Sequence, residues 1–307
     1  MTNIAYIFPG QGAQYTGMGK DFYAQSPQAR AIFEQADQIL GFELSQLIFS
    51  GPIEQLTQTV NCQAAIFTAS IAYLNTLQAK NLPLTITRTA GLSLGEYSAL
   101  VASGALSFPE GLKLVRARAE FMEEAARLNP GGMLCLIGIS IENARQICNQ
   151  TQAEIANLNC PGQIVVSGTP EALEQTKEKA REQNVKRVIP LQVSGAFHSS
   201  LMTPAAQKLA LFLENIHIQS PQIPIVSNVT AQEESLPQKI KDNLAKQVVM
   251  PTRWEDTIKF ISAQGTKTFI EIGPGKVLAG LLRKIDPQLK VYSIETMEDI
   301  EKFALVF

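Results

Sequence analysis

Apolar positions along this chain follow two rhythms, alternating runs of about six residues and longer stretches with helical spacing, and their order predicts an α/β protein. Residues 3 to 8 are β-rich and end at Pro9-Gly10, after which Gln11-Gly12-Ala13-Gln14 predicts a glycine loop leading to the first helical pattern. A helix follows Ser26: serine caps, Pro27 fits the first turn, Ile32, Phe33, Ala36, Ile39 and Leu40 share a stripe, and Gly41 stops it. Between Glu54 and Lys80 no charge occurs, yet Gln55, Gln58, Asn61, Gln63 and Asn75 interrupt the apolar positions. That pattern predicts a buried amphipathic helix with Ala64, Phe67, Ile71, Leu74 and Gln78 on one stripe, and excludes a membrane span. A strand over 88–92 then delivers the chain to a helix beginning near Glu96.

From Gly131 to Ser194 the elements shorten. Strands are expected over 133–139, 154–158, 163–167 and 186–193, and helices over 141–150 and 170–183, with Ala172, Leu173, Thr176 and Ala180 on one face. This β-α-β-β-α-β order is that of a ferredoxin-like split βαβ unit. The longer alternation returns after residue 195, with strands expected over 223–229, 268–272 and 290–294. The small unit, 129–195, therefore reads as an insertion into a large domain formed by 1–128 and 196–307. A chain of 307 residues has room for both.

Composition narrows the function classes. With 45% hydrophobic and 18% charged residues the chain reads as an ordinary globular protein, and a net charge of −2 argues against nucleic acid as a partner. The four cysteines, Cys62, Cys135, Cys148 and Cys160, form no C-x-x-C pair, and only two histidines occur, so no metal site is expected. The N-terminal run has neither the basic region nor the long apolar core of a secretory signal, which points to the cytoplasm.

The chemistry centres on Gly91-Leu92-Ser93-Leu94-Gly95, a G-x-S-x-G pentapeptide between a strand-like run and a helical one. This is the context of a nucleophile elbow, although a plain strand-to-helix turn fits the same five residues. A serine hydroxyl needs a base near neutral pH, and histidine is the usual one. His217 lies in the alternating Ile216-His217-Ile218 and reads as a solvent-facing strand position; His198 follows a strand end that turns through Gly195 and is the better candidate. Gly10-Gln11-Gly12 lacks the third glycine of a dinucleotide fingerprint, because Tyr15 stands there. The loop is better suited to supplying the main-chain N–H of Gln11, which with that of Leu94 would form an oxyanion hole.

Several separated motifs agree with this reading: Phe8-Pro9-Gly10-Gln11-Gly12-Ala13-Gln14, the elbow with Gly95-Glu96-Tyr97, Arg116-Ala117-Arg118, Asn157 with Pro161-Gly162-Gln163, Gly195-Ala196-Phe197-His198-Ser199, Gln247 before Pro251-Thr252-Arg253-Trp254, and Ile272-Gly273-Pro274-Gly275. In this order and spacing the chain resembles, over essentially its whole length, the malonyl-CoA:acyl carrier protein transacylase family. The resemblance implies an α/β-hydrolase-like large domain with a ferredoxin-like insertion. It implies Ser93 as the acylated nucleophile, His198 as its base, Arg118 rather than Arg116 as the clamp on the free malonyl carboxylate, and the backbone carbonyl of Gln247 as the group orienting His198. Asn157 and Phe197 are carried over as substrate-binding positions, although Phe197 also reads as a core aromatic. A thioester is already activated, so a carbonyl can replace the buried carboxylate that supports the histidine of amide-cleaving triads. Malonyl-CoA and acyl carrier protein are the implied partners, with no metal or redox cofactor. Arg283-Lys284 and Lys186-Arg187 are the candidate basic contacts for the acidic carrier. One departure stands beside the nucleophile: Leu92 occupies a position where many members carry histidine.

Overall fold

Ten strands and the helices between them are set out in a computed structural model that describes residues 3–307. The strands are β1 (Asn3–Phe8), β2 (Thr85–Gly91), β3 (Gly132–Ile137), β4 (Glu154–Cys160), β5 (Gln163–Gly168), β6 (Arg187–Pro190), β7 (Ile225–Val226), β8 (Glu233–Glu234), β9 (Thr268–Ile272) and β10 (Lys290–Ile294). Six of them form one sheet in the order β10-β9-β1-β2-β7-β8, parallel except for the antiparallel edge strand β8. The continuous apolar run of β1, buried from Ile4 to Phe8, suits a central strand covered on both faces.

The remaining four strands form an antiparallel sheet in the order β4-β5-β3-β6. Period-two alternation divides its side chains between two cores. Leu134, Leu136, Ile164 and Val166 pack with Ile147, Leu173 and Ala180 from the helices Ile141–Thr151 and Pro170–Glu182. Met133, Cys135 and Val165 face the other way and join the main core. The small sheet is tied to the large body at its β4 edge, where Leu158 N–H donates to Thr252 O at 2.9 Å and Thr252 N–H to Ala156 O at 2.9 Å.

Where pattern and geometry differ, the reason is physical. The helix Thr59–Gln78 is buried around most of its circumference, with Gln78 itself exposed, so it is a central helix and not an amphipathic one; Ala64, Ala65, Ala69 and Ala72 let neighbours approach on several sides. The expected strand at 223–229 shrinks to two residues because the chain turns at once to place Ser227 and Asn228 beneath the elbow. The closing strand at 186–193 ends at Pro190; Leu191 N–H still donates to Met133 O at 3.0 Å, and the chain then turns, with Val193 N–H donating to Leu191 O at 3.0 Å. His217 is exposed as expected, but it lies in a loop and not on a strand. The helix at Pro27–Leu40 follows its sequence signals closely: Ser26 Oγ accepts from Ala29 N at 3.2 Å, and Gly41 takes the left-handed conformation with φ 73°.

Candidate active site

Ser93 stands at the C-terminal end of β2, where the chain reverses into the helix Gly95–Ala102. The reversal holds Ser93 at φ 51°, a left-handed conformation that costs a non-glycine residue roughly 1–2 kcal/mol. It requires glycine on both sides. A Cβ on Gly91 would lie 1.9 Å from the carbonyl carbon of Gly95, and one on Gly95 would lie 2.1 Å from Phe8 O. Asn228 braces the bend from just beyond β7, the next strand of the sheet: its Oδ1 accepts from Ser93 N at 2.6 Å and its Nδ2 donates to Gly91 O at 2.6 Å.

The structure brings His198 to this hydroxyl across 105 positions of sequence, with Ser93 Oγ 2.8 Å from Nε2. His198 is itself left-handed, at φ 59°, and is held by Val248 O, which accepts its N–H at 3.1 Å. Nδ1 lies 2.7 Å from the backbone oxygen of Gln247. A carbonyl can only accept, so Nδ1 carries the proton and Nε2 is free to receive one from Ser93. Burial, reinforced by the Arg118 cation, pushes the imidazole down to about 4, against the hydrogen bonds from Gln247 and Met250; the ring is therefore neutral near pH 7.

Arg118, 1% exposed, comes from the long helix Phe108–Leu128. It donates from Nη1 to Gln63 Oε1 at 2.7 Å, and from Nη2 to Ser93 Oγ at 3.1 Å and Gln247 Oε1 at 3.1 Å, while its guanidinium lies 5.3 Å from the centre of the Tyr97 ring. All three acceptors are uncharged. Among the described residues no carboxylate lies within ion-pair distance of this buried cation. Arg116, two residues earlier, turns outward to Glu120 at 2.7 Å.

A cavity of about 100 Å³ opens over Ser93. Gln11, Leu94, Asn157, Phe197, His198 and Arg118 all line it. Neither Gln11 N–H nor Leu94 N–H is used in a hydrogen bond among the described residues, whereas that of Ser93 is occupied by Asn228. Asn157 reaches the cavity from β4 at a register shift between Ile155 and Asn157, a bulge that redirects the side chains around it. Phe197 both lines the cavity and packs in the main core. Leu92 adds an apolar wall.

The profile of the Acyl transferase domain family matches residues 5–302 of this chain. The malonyl CoA-acyl carrier protein transacylase of Bacillus subtilis (strain 168) is 47% identical over 306 residues, covering 98% of this chain and 96% of the relative. The chain belongs to the malonyl CoA-acyl carrier protein transacylase family. Solved members share the fold. An acyl-carrier-protein-S-malonyltransferase from Bartonella henselae is 40% identical with a TM-score of 0.96, over 100% of this chain and 99% of that one. A malonyl-transacylase in complex with its type II PKS acyl-carrier protein is 36% identical with a TM-score of 0.97 over 100% of both chains.

Three residues of this transacylase site, and one side chain of a residue known only for its backbone, were not singled out by sequence reasoning. Gln63 and Asn228 are joined by Glu96 and by the side chain of Gln247, which donates from Nε2 to Ser93 O at 3.1 Å and to Glu96 Oε2. Glu96 also accepts from Asn228 N at 3.2 Å. Buried without a direct cationic partner, its carboxyl is pushed up to about 7, against the hydrogen bonds of Asn228, Gln247 and Ser227 and the charge of Arg118. Gln63 carried a readable signal: a glutamine in a helix buried all round must find a polar partner. Among the described residues no group of three or more His, Cys, Asp or Glu could hold a metal ion, no helix is long and apolar enough to cross a membrane, and all four cysteines are free and buried.

Proposed function

We propose that Ser93 carries the acyl group, as a malonyl ester, while this enzyme transfers malonyl from malonyl-CoA to the phosphopantetheine thiol of acyl carrier protein, the reaction that supplies elongation units for fatty-acid synthesis. The observation that carries this reading is the convergence of His198 Nε2 and Arg118 Nη2 on one hydroxyl, at 2.8 and 3.1 Å, with the guanidinium lacking a carboxylate of its own. A base and a carboxylate receptor on the same oxygen describe a nucleophile for an acyl group that bears a free carboxylate.

In the first half-reaction Ser93 Oγ attacks the thioester carbonyl as its proton passes to His198 Nε2, and Gln247 O steadies the resulting imidazolium through Nδ1–H. The main-chain N–H groups of Gln11 and Leu94 receive the oxyanion. The C–S bond breaks and the imidazolium returns its proton to the coenzyme A sulfur. In the second half the carrier's thiol attacks the ester, gives its proton to His198, and Ser93 leaves with that proton. Throughout, Arg118 holds the malonyl carboxylate through a two-pronged contact that acetyl cannot make. Asn157 and Phe197 bound the acyl group. No cofactor enters this scheme.

The same proposal divides the chain into an α/β-hydrolase-like domain of residues 1–128 and 196–307 and a ferredoxin-like domain of 129–195, with the site in the cleft between them, and places the enzyme in the cytoplasm. Support comes from the parallel sheet ending in the elbow and from the antiparallel order β4-β5-β3-β6. Lys186, Arg187, Arg283 and Lys284, all exposed, are the proposed basic contacts for the carrier. Reversing their charges raises the KM for the carrier protein and leaves malonyl-CoA loading alone; unchanged kinetics removes that assignment.

Intact-protein mass spectrometry after exposure to malonyl-CoA, methylmalonyl-CoA and acetyl-CoA tests the central reading. A malonyl adduct on Ser93, long-lived in water and discharged on adding carrier protein, is expected. Rapid discharge in water alone indicates a hydrolase, and no adduct with any thioester ends the proposal.

A further inference from the structure

Glu96 is the one carboxylate that the mechanism leaves unused inside the catalytic cluster. It is fully enclosed on the helix Gly95–Ala102, and it connects to Arg118 through a single residue: Gln247 donates to Glu96 from Nε2 and accepts from Arg118 with Oε1. The arrangement fixes the Gln247 amide, because turning it over would point two N–H groups at the guanidinium and an oxygen at the carboxylate. It also makes Glu96 the nearby counter-charge of Arg118 while no substrate is present.

A malonyl group attached at Ser93 Oγ brings a second carboxylate to that one guanidinium. Two enclosed anions sharing one cation repel each other, and the cheaper state has one of them protonated. The substrate carboxylate touches Arg118 directly, whereas Glu96 is held one residue away by neutral donors and already sits in surroundings that favour its acid form. We propose that malonyl binding draws one proton from solvent onto Glu96, so that Arg118 exchanges the charge of Glu96 for that of the substrate. This rests on the assignment of Arg118 as the malonyl clamp.

The groups facing this carboxylate are few. Arg118 from the helix Phe108–Leu128 is the cation; Tyr97, next to Glu96 on the helix Gly95–Ala102, is pushed up to about 12 by burial and stays neutral. Ser227, Asn228 and Gln247 present only neutral groups. His198, bonded to the Gln247 carbonyl, is already neutral well below pH 7. With Glu96 pushed up to about 7 in the free protein, the exchange is silent in acid, where the proton is already present, and visible above neutrality.

The test uses S93A, which prevents acylation, titrated calorimetrically with malonyl-CoA and with coenzyme A in pairs of buffers that differ in ionisation enthalpy. Coenzyme A carries the same phosphates and serves as the blank. Malonyl-CoA is expected to take up close to one proton more than coenzyme A at about pH 8 and close to none at about pH 6, and its advantage in Kd should weaken by up to roughly tenfold between pH 7 and 8. In S93A/E96Q, whose amide keeps a carbonyl for Gln247 and Asn228, both effects should vanish. Infrared difference spectra of S93A give a second readout that needs no change at Glu96: a carboxylate band lost and a carboxylic acid band gained on adding malonyl-CoA. Equal proton uptake with malonyl-CoA and coenzyme A, or uptake that persists in S93A/E96Q, overturns the proposal. Failure of the underlying clamp looks different, because malonyl-CoA would then bind no tighter than coenzyme A and R118A would not change either affinity; the proposal falls with it.

Discussion

The elbow and the polar cluster behind it meet at the same residue, yet they are held by different physics. In Gly91–Gly95 the constraint is backbone against backbone, at separations of 1.9 and 2.1 Å from an imagined Cβ, and no rotamer change relieves it. In the cluster of Gln63, Glu96, Arg118, Asn228 and Gln247 the constraint is a chain of side-chain hydrogen bonds spanning 55 to 154 positions of sequence, each of which a rotation could break. The bend is therefore intolerant of small changes that leave its chemistry alone. The cluster tolerates changes of shape but not of hydrogen-bonding sense. One part supplies strain and position, the other places a buried charge beside the hydroxyl.

Substitutions can separate the two. The largest effect is expected at Gly95→Ala, where backbone overlap with Phe8 should cost about 3 kcal/mol or more, read as a large drop in Tm. A protein of ordinary stability would mean that the bend is softer than its geometry implies. Next is the dyad at the top of the bend. Ser93→Ala removes the covalent adduct, and His198→Ala slows acylation by roughly two to four decades, measured by stopped-flow loading, without the fold loss of the glycine variant.

Arg118→Met, which keeps volume, probes the cluster. Losing charge-assisted hydrogen bonds of about 1.5–3 kcal/mol should lower kcat/KM for malonyl-CoA by roughly ten- to a hundredfold while sparing acetyl-CoA. Retained malonyl preference would place the carboxylate elsewhere.

Two opposing pH dependences belong to the same cluster. His198 is depressed to about 4 from 6.5, so between those values the unfolded chain holds the extra proton; its contribution is present above pH 6.5 and is lost as pH falls towards 4. Glu96 is raised from 4.5 to about 7, so the native state holds the extra proton; its contribution is present below pH 4.5 and is lost as pH rises through 7. Relative to the parent, E96Q should gain stability steadily as pH rises from 4.5 to 7, as followed by chemical denaturation; a constant difference would mean that Glu96 ionises normally. The smallest change lies far from both regions: Ser26→Ala removes the helix cap at Ala29 and should cost about 1 kcal/mol with kinetics untouched.

Much of the fold was legible because its causes are local. Strands β9 and β10 occupy the residues their alternation indicated, the helix from Pro27 starts and stops at its cap and its glycine, and the β-α-β-β-α-β order of the small unit is present in full. Errors fell where packing overrides pattern: the helix Thr59–Gln78 is enclosed on nearly every side, and the two-residue β7 is cut short to deliver Asn228. Similarity to the family pointed to Arg118 and to the Gln247 carbonyl, but the second function of Gln247, its amide linking Arg118 to Glu96, had no signal in the chain.

By itself the sequence determined the bend at Ser93, because glycine spacing and a strand-to-helix switch are properties of neighbouring residues and of L-amino-acid stereochemistry. It also limited the base to one of two histidines. Only the tertiary structure decided which oxygen meets which nitrogen, that the buried guanidinium is met by neutral groups alone, and that a carboxylate lies one amide away from it. Those relations join residues 25 to 151 positions apart, and dielectric environment and hydrogen-bond direction exist only once the chain has closed around them.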